Sequence, residues 1–233
     1  MKEEFVKNLP DLDICLLGLQ GSRMLGLQQS ADADYDYRGV YIARNEDLLS
    51  FDNKPKETIE GGSFGDDEME YVFHEVEKFF RLAIKCNPSV IHLFFVPKFN
   101  IKTDVGDMIV ANRNLFINTP AVRSSFGGYA LGQMLYLRRN RGDARRREKH
   151  VRHCFRLFET GMELLTTGNI SLPLPYAQHI IDLGKRINEP DGLDYITKLF
   201  EEKDKEFQNA VSVLPEAPEP HLINRLLLKI RKV

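Results

Sequence analysis

The chain has 233 residues, with 32 Lys and Arg against 34 Asp and Glu, and 42% of its residues are hydrophobic. That length suits one large domain or two small ones, and 15 Phe with 8 Tyr argue against a disordered chain. Apolar runs are too short for a membrane span, and the start of the chain has no apolar secretory signal. The 3 cysteines are widely spaced, which argues against a disulfide framework or a zinc site and indicates a reduced, cytoplasmic protein.

The first third of the chain has the pattern of strands and loops. Apolar and β-branched residues predict strands over residues 13–19 and 38–43. The glycine-rich segment 61–67 is typical of a flexible loop or a hairpin end, and residues 70–73 of a further short strand.

From residue 75 onward the periodicity is helical. Val76, Phe79, Phe80 and Ala83 recur at the i, i+3, i+4, i+7 spacing of an amphipathic helix, which residues 87–88 end. These Phe residues, with Phe94 and Phe95, are expected in the core. Further helices are predicted over residues 104–117, 119–139, 144–166, 175–187, 192–212 and 220–231.

This change from strand-like to helical periodicity predicts the organisation of the chain. The expected fold class is α+β (α/β), with a mixed sheet and helices over residues 1–118. A helical, substrate-binding region is expected over residues 119–233. Neither an internal repeat nor a long Gly/Ser-rich linker marks the boundary.

The most informative stretch is residues 17–43. An apolar strand is followed by Gly21 and Ser22 at the start of a short predicted helix, and Asp34 and Asp36 open the next strand. Side chains two residues apart on an extended chain share a face, so the two carboxylates are expected to project together.

This spacing suits a metal-bound phosphate chain. Two close carboxylates repel unless a cation lies between them, and Mg²⁺ prefers oxygen ligands. Gly21 lets the backbone approach a phosphate, and Ser22 adds a hydroxyl at a helix N-terminus. A polar loop before an acidic strand edge is the alternative, but the position of the carboxylate pair after Gly-Ser favours the phosphate site.

The same stretch resembles the signature of the DNA polymerase β nucleotidyltransferase superfamily, in which Gly-Ser precedes a D-x-D pair. Gly21-Ser22-Arg23 with Asp-Tyr-Asp-Tyr-Arg-Gly at residues 34–39 resembles, more narrowly, a family of predicted nucleotidyltransferases of bacteria and large phages. Some members of that family are associated with RNA-repair genes. The blocks at residues 85–90, 128–133, 149–168 and 212–216 extend the resemblance over nearly the whole chain.

The resemblance implies a polymerase β-like palm sheet and transfer of a nucleoside monophosphate from an NTP such as ATP, with release of pyrophosphate. Asp34 and Asp36 are then expected to hold Mg²⁺ or Mn²⁺. The superfamily needs a third carboxylate on a nearby strand, which we assign to Glu70, with Glu68 as the fallback.

The sequence departs from the family pattern at three positions. Glu70 stands where the family has Asp, Cys86 where Gly is common, and His92 where Glu is expected. These departures indicate either local repacking or a changed substrate pocket.

Residues 138–156 are strongly basic, although the whole chain has a net charge of −2. Only Asp143 and Glu148 oppose the Lys and Arg side chains there. On a helix this run presents a basic face that suits phosphate groups or a nucleic-acid backbone, although a solvated face is the alternative. Tyr129 and Gln133 are interpreted either as helix packing or as contacts to a nucleotide base or sugar. The residues predicted to bind nucleotide or phosphate are Gly21, Ser22, Arg23, Arg38, Tyr129, Gln133, Lys149, His150, His153 and Arg156.

Three functional hypotheses follow. The first is a metal-dependent nucleotidyltransferase whose acceptor is a nucleic acid, an RNA or tRNA end, bound through residues 138–156. The second is a non-catalytic nucleotide- or RNA-binding module of the same fold. The third is an antitoxin-like enzyme that modifies a protein. The expected location is the cytoplasm of a bacterium or of a phage-infected cell, without membrane contact.

Overall fold

A computed structural model describes residues 9–30, 33–52, 54–64, 67–139 and 142–232. Contacts divide the chain into two compact units. The first comprises Met1–Ile84, Ser89–Phe116 and Pro218–Val233, and the second Lys85–Pro88 and Ile117–Ala217. A boundary at residues 118 and 119 stays a prediction, and the contacts group the last helix with the sheet-containing unit. Within the described residues, no helix is long and apolar enough to span a bilayer.

In the first unit, the described residues form one five-stranded mixed sheet. Its strands are β1 (Asp13–Leu19), β2 (Tyr35–Ile42), β3 (Thr58–Phe64), β4 (Asp67–Glu75) and β5 (Phe99–Lys102). They lie in the order β3-β4-β2-β1-β5, and only β2 and β4 are parallel neighbours. The predicted α+β class is confirmed. The predicted bounds of β1 are those of the structure, whereas residues 61–64 belong to β3 and β5 was not predicted.

Alternation along β2 and β4 separates an apolar cluster on one face of the sheet from most of the polar side chains on the other face, which also carries the buried Val40. Leu17, Tyr37, Tyr41, Met69 and Phe73 form a buried cluster on one face. Because successive side chains point to opposite faces, Asp36 and Arg38 of β2 and Glu70 and His74 of β4 lie on the other face. The polar candidates of both strands therefore share that second face.

The predicted helical segments are mostly confirmed, but the helix predicted over residues 104–117 ends at Ala111, and Asn45–Leu49 is a helix that was not predicted. In chain order they are α1 (Gly21–Leu25), α2 (Asn45–Leu49), α3 (Val76–Ile84), α4 (Pro88–Leu93), α5 (Asp104–Ala111), α6 (Thr119–Val122), α7 (Gly128–Arg138), α8 (Ala144–Thr167), α9 (Ala177–Arg186), α10 (Gly192–Asn209) and α11 (Pro220–Arg231). The core prediction for Phe79, Phe80 and Phe94 is confirmed, since each is buried, while Phe95 is half-buried. A π-helical turn at Arg123–Gly127 joins α6 to α7 in the segment predicted as one helix.

The long helix α8 has clear sequence signals at both ends. The Asp143 side chain accepts a hydrogen bond from the Arg146 backbone N–H at 2.8 Å. Gly168 ends the helix in the left-handed conformation at φ 72°. An N-terminal carboxylate cap and a C-terminal glycine are the residues that stabilise free helix ends best.

Candidate functional site

Strand register brings two of the predicted carboxylates onto neighbouring strands. Asp36 of β2 lies directly opposite Glu70 of β4 in the parallel pair, so both side chains are on the polar face of the sheet. Asp36 is half-buried and Glu70 is exposed. Asp34 is exposed and precedes β2, and the side chain of Glu68 lies outside the described residues. No three His, Cys, Asp or Glu side chains in the described part of the chain are close enough to form a ready-made metal site.

The turn between β1 and α1 packs directly against Asp36. The backbone N–H of Gln20 donates to the Asp36 carbonyl at 2.7 Å. Gly21 has a φ of +66°, and a Cβ at this position would overlap the Asp36 carboxylate. A side chain at residue 21 is therefore excluded twice, by the left-handed backbone and by the carboxylate.

Gln20 and Ser22 flank this glycine. Gln20 is 6% exposed, and its side-chain Nε2 has no hydrogen-bond acceptor among the described residues. Ser22 lies in the first turn of α1 and is half-buried. A buried amide donor that lacks an acceptor costs free energy unless a ligand or a water supplies one.

Arg23 holds the segment that leads to the carboxylates. Its Nε donates to the carbonyl of Ala33 at 2.7 Å, and its guanidinium carbon lies 3.8 Å from the centroid of the Tyr35 ring. These contacts fix the backbone on both sides of Asp34. The part that Arg23 takes in binding phosphate stays a prediction.

Arg38 belongs to a hydrogen-bonded chain on the polar face. Its Nη1 lies 3.2 Å from Nε2 of the buried His74, and His74 Nδ1 lies 3.1 Å from the Thr58 hydroxyl oxygen. Burial and then the charges of Arg38 and Lys78 lower the pKa of His74 to about 4. Neutral His74 accepts the Arg38 hydrogen bond at Nε2, so its proton is on Nδ1 and is donated to Thr58.

Arg38 is placed among carboxylates. Burial lowers the pKa of its guanidinium, whereas the negative charges of Asp36 and Glu60 raise it. The Nε atom of Arg38 is buried and has no acceptor in the described part of the chain. The guanidinium is thus a desolvated cation beside Asp36, held by His74 on one side.

The second unit brings several of the other predicted residues together. Gln133 Oε1 lies 2.7 Å from His150 Nδ1, which joins α7 to α8. Asn87 Nδ2 donates to the Tyr129 hydroxyl at 3.1 Å. The Tyr136 ring stacks on His150, with ring centroids 5.0 Å apart and planes inclined by 6°. Tyr136 was not predicted, although its spacing from Tyr129 and Gln133 puts it on the same helical face.

The four predicted residues of α8 differ in exposure. Lys149 is exposed, and His150, His153 and Arg156 are half-buried. Burial, followed by the charge of Arg156, lowers the pKa of His153 to about 3, and burial lowers that of Arg156 to about 10. At neutral pH this face therefore owes its positive charge to Arg and Lys, and the histidines are neutral.

The basic run divides into exposed and engaged side chains. Arg138 pairs with Glu201 at 3.3 Å, Arg152 pairs with Glu148 at 3.4 Å, and Arg147 donates to the Ile187 carbonyl at 3.1 Å. Arg141 lies outside the described residues. The exposed members with no acidic partner in the described part of the chain are Arg139, Arg145, Arg146 and Lys149.

Cys86 and His92, the two residues after α3 that differ from the family pattern, lie in different structural environments. Cys86 has a φ of +48°, in the left-handed region that glycine adopts most easily. The backbone therefore explains why glycine is expected there. His92 is buried in α4 at 1% exposure.

Comparisons with known proteins identify the family to which the chain belongs. The model of the RlaP family, described as the RNA repair pathway DNA polymerase beta family, matches residues 3–222. A solved structure of a nucleotidyltransferase-like protein from Exiguobacterium sibiricum 255-15 is similar at 12% identity and a TM-score of 0.37, over 94% of this chain and 74% of that one. That similarity is too low to transfer residue roles. No curated protein matches the chain. With 220 of its residues matched by one family model, the chain belongs to the RNA repair pathway DNA polymerase beta family and is a nucleotidyltransferase of that type.

Proposed function

We propose that the chain transfers a nucleoside monophosphate from an NTP to the terminal hydroxyl of an RNA, with loss of pyrophosphate. The observation that carries this proposal is the register of Asp36 opposite Glu70, beside a glycine turn whose backbone closes on Asp36. A carboxylate pair on adjacent strands beside a β-strand-to-helix turn is suited to a nucleoside triphosphate and its divalent cation.

The donor set fits a hard divalent cation, Mg²⁺ or Mn²⁺. Asp34, Asp36 and Glu70 offer carboxylate oxygens, and no sulfur or imidazole ligand is required. Such a cation, when bound, neutralises phosphate charge and favours ionisation of an attacking hydroxyl.

The residues of the turn bind and orient the triphosphate in this proposal. The backbone N–H groups at the start of α1 and the Ser22 hydroxyl donate to phosphate oxygens, because a phosphate oxygen only accepts hydrogen bonds. The buried Gln20 amide supplies another donor, which has no acceptor among the described residues. Arg38, held by His74, orients the chain of phosphates from the polar face of the sheet.

An RNA end is the acceptor that the chemistry favours. The exposed Arg139, Arg145, Arg146 and Lys149 form a cationic surface in a chain of net charge −2. A local excess of cations of this kind attracts a phosphate backbone through release of its counterions. ATP is the NTP that we propose to test first.

A labelled-transfer experiment tests the function. The purified protein is incubated with each α-labelled NTP, Mg²⁺ or Mn²⁺ and a pool of total RNA, and label in RNA is measured after electrophoresis. We expect transfer by the native protein and a loss of about 100-fold or more in Asp36→Asn, because one charged ligand to the reacting phosphates is removed. Asp34→Asn and Glu70→Gln are expected to lose activity similarly.

The control variant is Asp52→Asn, which removes an exposed carboxylate outside the site and is expected to retain transfer. Nucleotide binding without label transfer to any acceptor would contradict the proposal and favour a binding module. Transfer only to a protein that co-purifies with the chain would instead indicate a protein-modifying enzyme.

A further inference from the structure

A stacked pair of aromatic rings lies at the surface of the second unit, outside the carboxylate site. Tyr136 of α7 and His150 of α8 have ring centroids 5.0 Å apart and nearly parallel planes. Tyr136 is 47% exposed, and His150 is half-buried. Nearly half of the Tyr136 side chain therefore stays accessible to a ligand while it stacks on His150.

The His150 ring is held in one orientation and one protonation state. Burial, then the charges of Arg146 and Lys149, lower its pKa, so the ring is neutral at neutral pH. Its Nδ1–H donates to Gln133 Oε1 at 2.7 Å, which leaves Nε2 as an acceptor. No donor to Nε2 is found among the described residues. The ring is thus fixed for stacking and has one free lone pair.

Exposed cations lie on the helix of His150 and at the end of the helix that carries Tyr136. Arg146 and Lys149 are close enough to His150 to influence its titration, and both are exposed. Arg139 follows Tyr136 by one helical turn and is exposed as well. None of the three has an ion pair within the described ranges, so their charges are available to an anionic ligand.

We propose that Tyr136 and His150 form a base-stacking site for single-stranded RNA, with Arg139, Arg146 and Lys149 contacting the adjacent phosphates. Aromatic faces among cations are the combination by which proteins hold unpaired bases, since every base has a π face and every linkage a charge. The Nε2 atom of His150 accepts a hydrogen bond from a 2′-hydroxyl or a base amino group. This inference rests on the proposed function, because the bound strand would be the acceptor.

The test measures binding of a labelled single-stranded RNA of mixed sequence to the full chain by fluorescence anisotropy. EDTA is present so that no transfer occurs. We expect Tyr136→Ala to bind roughly 5- to 150-fold more weakly, the range for loss of one stacked base. Tyr136→Phe keeps the ring and is expected to bind like the native chain. Lys149→Ala removes one phosphate contact, so the slope of log Kd against log salt concentration is expected to fall by about 0.7, the value for one contact to a single strand.

Tyr195→Ala is the matched control. Tyr195 is 44% exposed in the same unit, but it lies 4.7 Å from the Arg186 guanidinium carbon, and Arg186 pairs with Glu189 and Asp191. We expect Tyr195→Ala to bind RNA unchanged. Melting temperatures of all variants establish that each is folded.

Four results would overturn the stacking site. These are unchanged RNA binding in Tyr136→Ala, an equal loss in Tyr195→Ala, equally tight binding of duplex RNA, and a loss of ATP affinity rather than RNA affinity in Tyr136→Ala. Asp36→Asn separates this inference from the proposed function, because it is expected to bind RNA normally without transferring label. RNA binding that depends on Tyr136 in a native chain that transfers nothing would contradict the function alone.

Discussion

At the residue scale, Cys86 shows how a backbone requirement appears as an unusual residue. Its φ of +48° lies where a Cβ crowds the backbone, and its thiol side chain is buried. Burial also raises the pKa of the thiol to about 11, so it is neutral at physiological pH. At this position the positive φ is unfavourable for a residue with a Cβ, whereas burial of the side chain is favourable. The family's glycine would relieve the backbone strain and would lose the buried side chain.

The backbone effect can be separated by comparing two variants. Cys86→Gly is expected to be more stable than Cys86→Ala by about 1 kcal/mol in urea-induced unfolding, because both lack the thiol but only glycine adopts a positive φ freely. Ala83→Gly in the last turn of α3 is the control and should destabilise by up to about 1 kcal/mol, because glycine there loses helix propensity and gains no favourable φ. Equal stability of the Gly and Ala variants at residue 86 would contradict this explanation.

At the scale of elements, a buried ion pair anchors α11 within the first unit. Arg231 Nη2 lies 2.8 Å from Glu75 Oε1, and the two side chains are only 9% and 5% exposed. Glu75 also accepts from the backbone N–H of Glu77 at 2.8 Å, and Asn45 Nδ2 donates to the Arg231 carbonyl at 3.0 Å. The pair therefore connects the end of β4 to the last helix through several hydrogen bonds of both side chains.

Removing one partner of this ion pair should lower the stability of the folded chain. Arg231→Met is expected to lower the free energy of unfolding by about 3–5 kcal/mol, because the Glu75 carboxylate is left charged and buried. Adding Glu75→Gln should restore part of that loss. Arg225→Met removes an exposed cation from the same helix and should change stability by less than about 0.5 kcal/mol. Urea titrations measure five proteins: the native chain, Arg231→Met, Glu75→Gln, the double variant and Arg225→Met. A loss in the double variant equal to the sum of the two single losses would show that the pair is not coupled.

At the scale of the whole molecule, burial keeps two histidines neutral in a strongly cationic setting. The pKa of His74 is lowered to about 4 and that of His153 to about 3, in each case chiefly by burial. An unfolded chain binds these protons near pH 6.5, whereas the folded chain does not. The unfolded state is therefore favoured progressively as the pH falls from about 6.5 towards 4.

His74→Gln tests this effect. Each pKa unit is worth about 1.4 kcal/mol, so His74 alone should account for roughly 3 kcal/mol of the stability lost between pH 6.5 and 4. The glutamine variant is expected to lose less stability over that range, although it weakens the hydrogen bonds to Arg38 and Thr58 at neutral pH. Denaturation curves at a series of pH values measure the difference. An identical pH profile in His74→Gln, or a flattened one in the exposed-residue control His179→Gln, would contradict the assignment.

The sequence by itself determined the local features of this protein. Apolar alternation predicted β1, and the 3.6-residue period predicted α3, because these signals depend on neighbours along the chain. The spacing of Gly21, Ser22, Asp34 and Asp36 indicated a metal-bound phosphate site, since a turn and an extended pair are themselves local, and the resemblance of that stretch to a known family implied the nucleotidyltransferase class. The basic run before residue 156 was equally visible as composition.

Only the tertiary structure decided which distant residues meet. The register of β2 against β4 sets Asp36 opposite Glu70, and no pattern within either strand specifies that pairing. Helix packing likewise stacks Tyr136 on His150 and docks Arg231 on Glu75. The physical reason is that local periodicity determines which face of an element is buried, whereas the partner of each polar group depends on contacts between segments far apart in the chain.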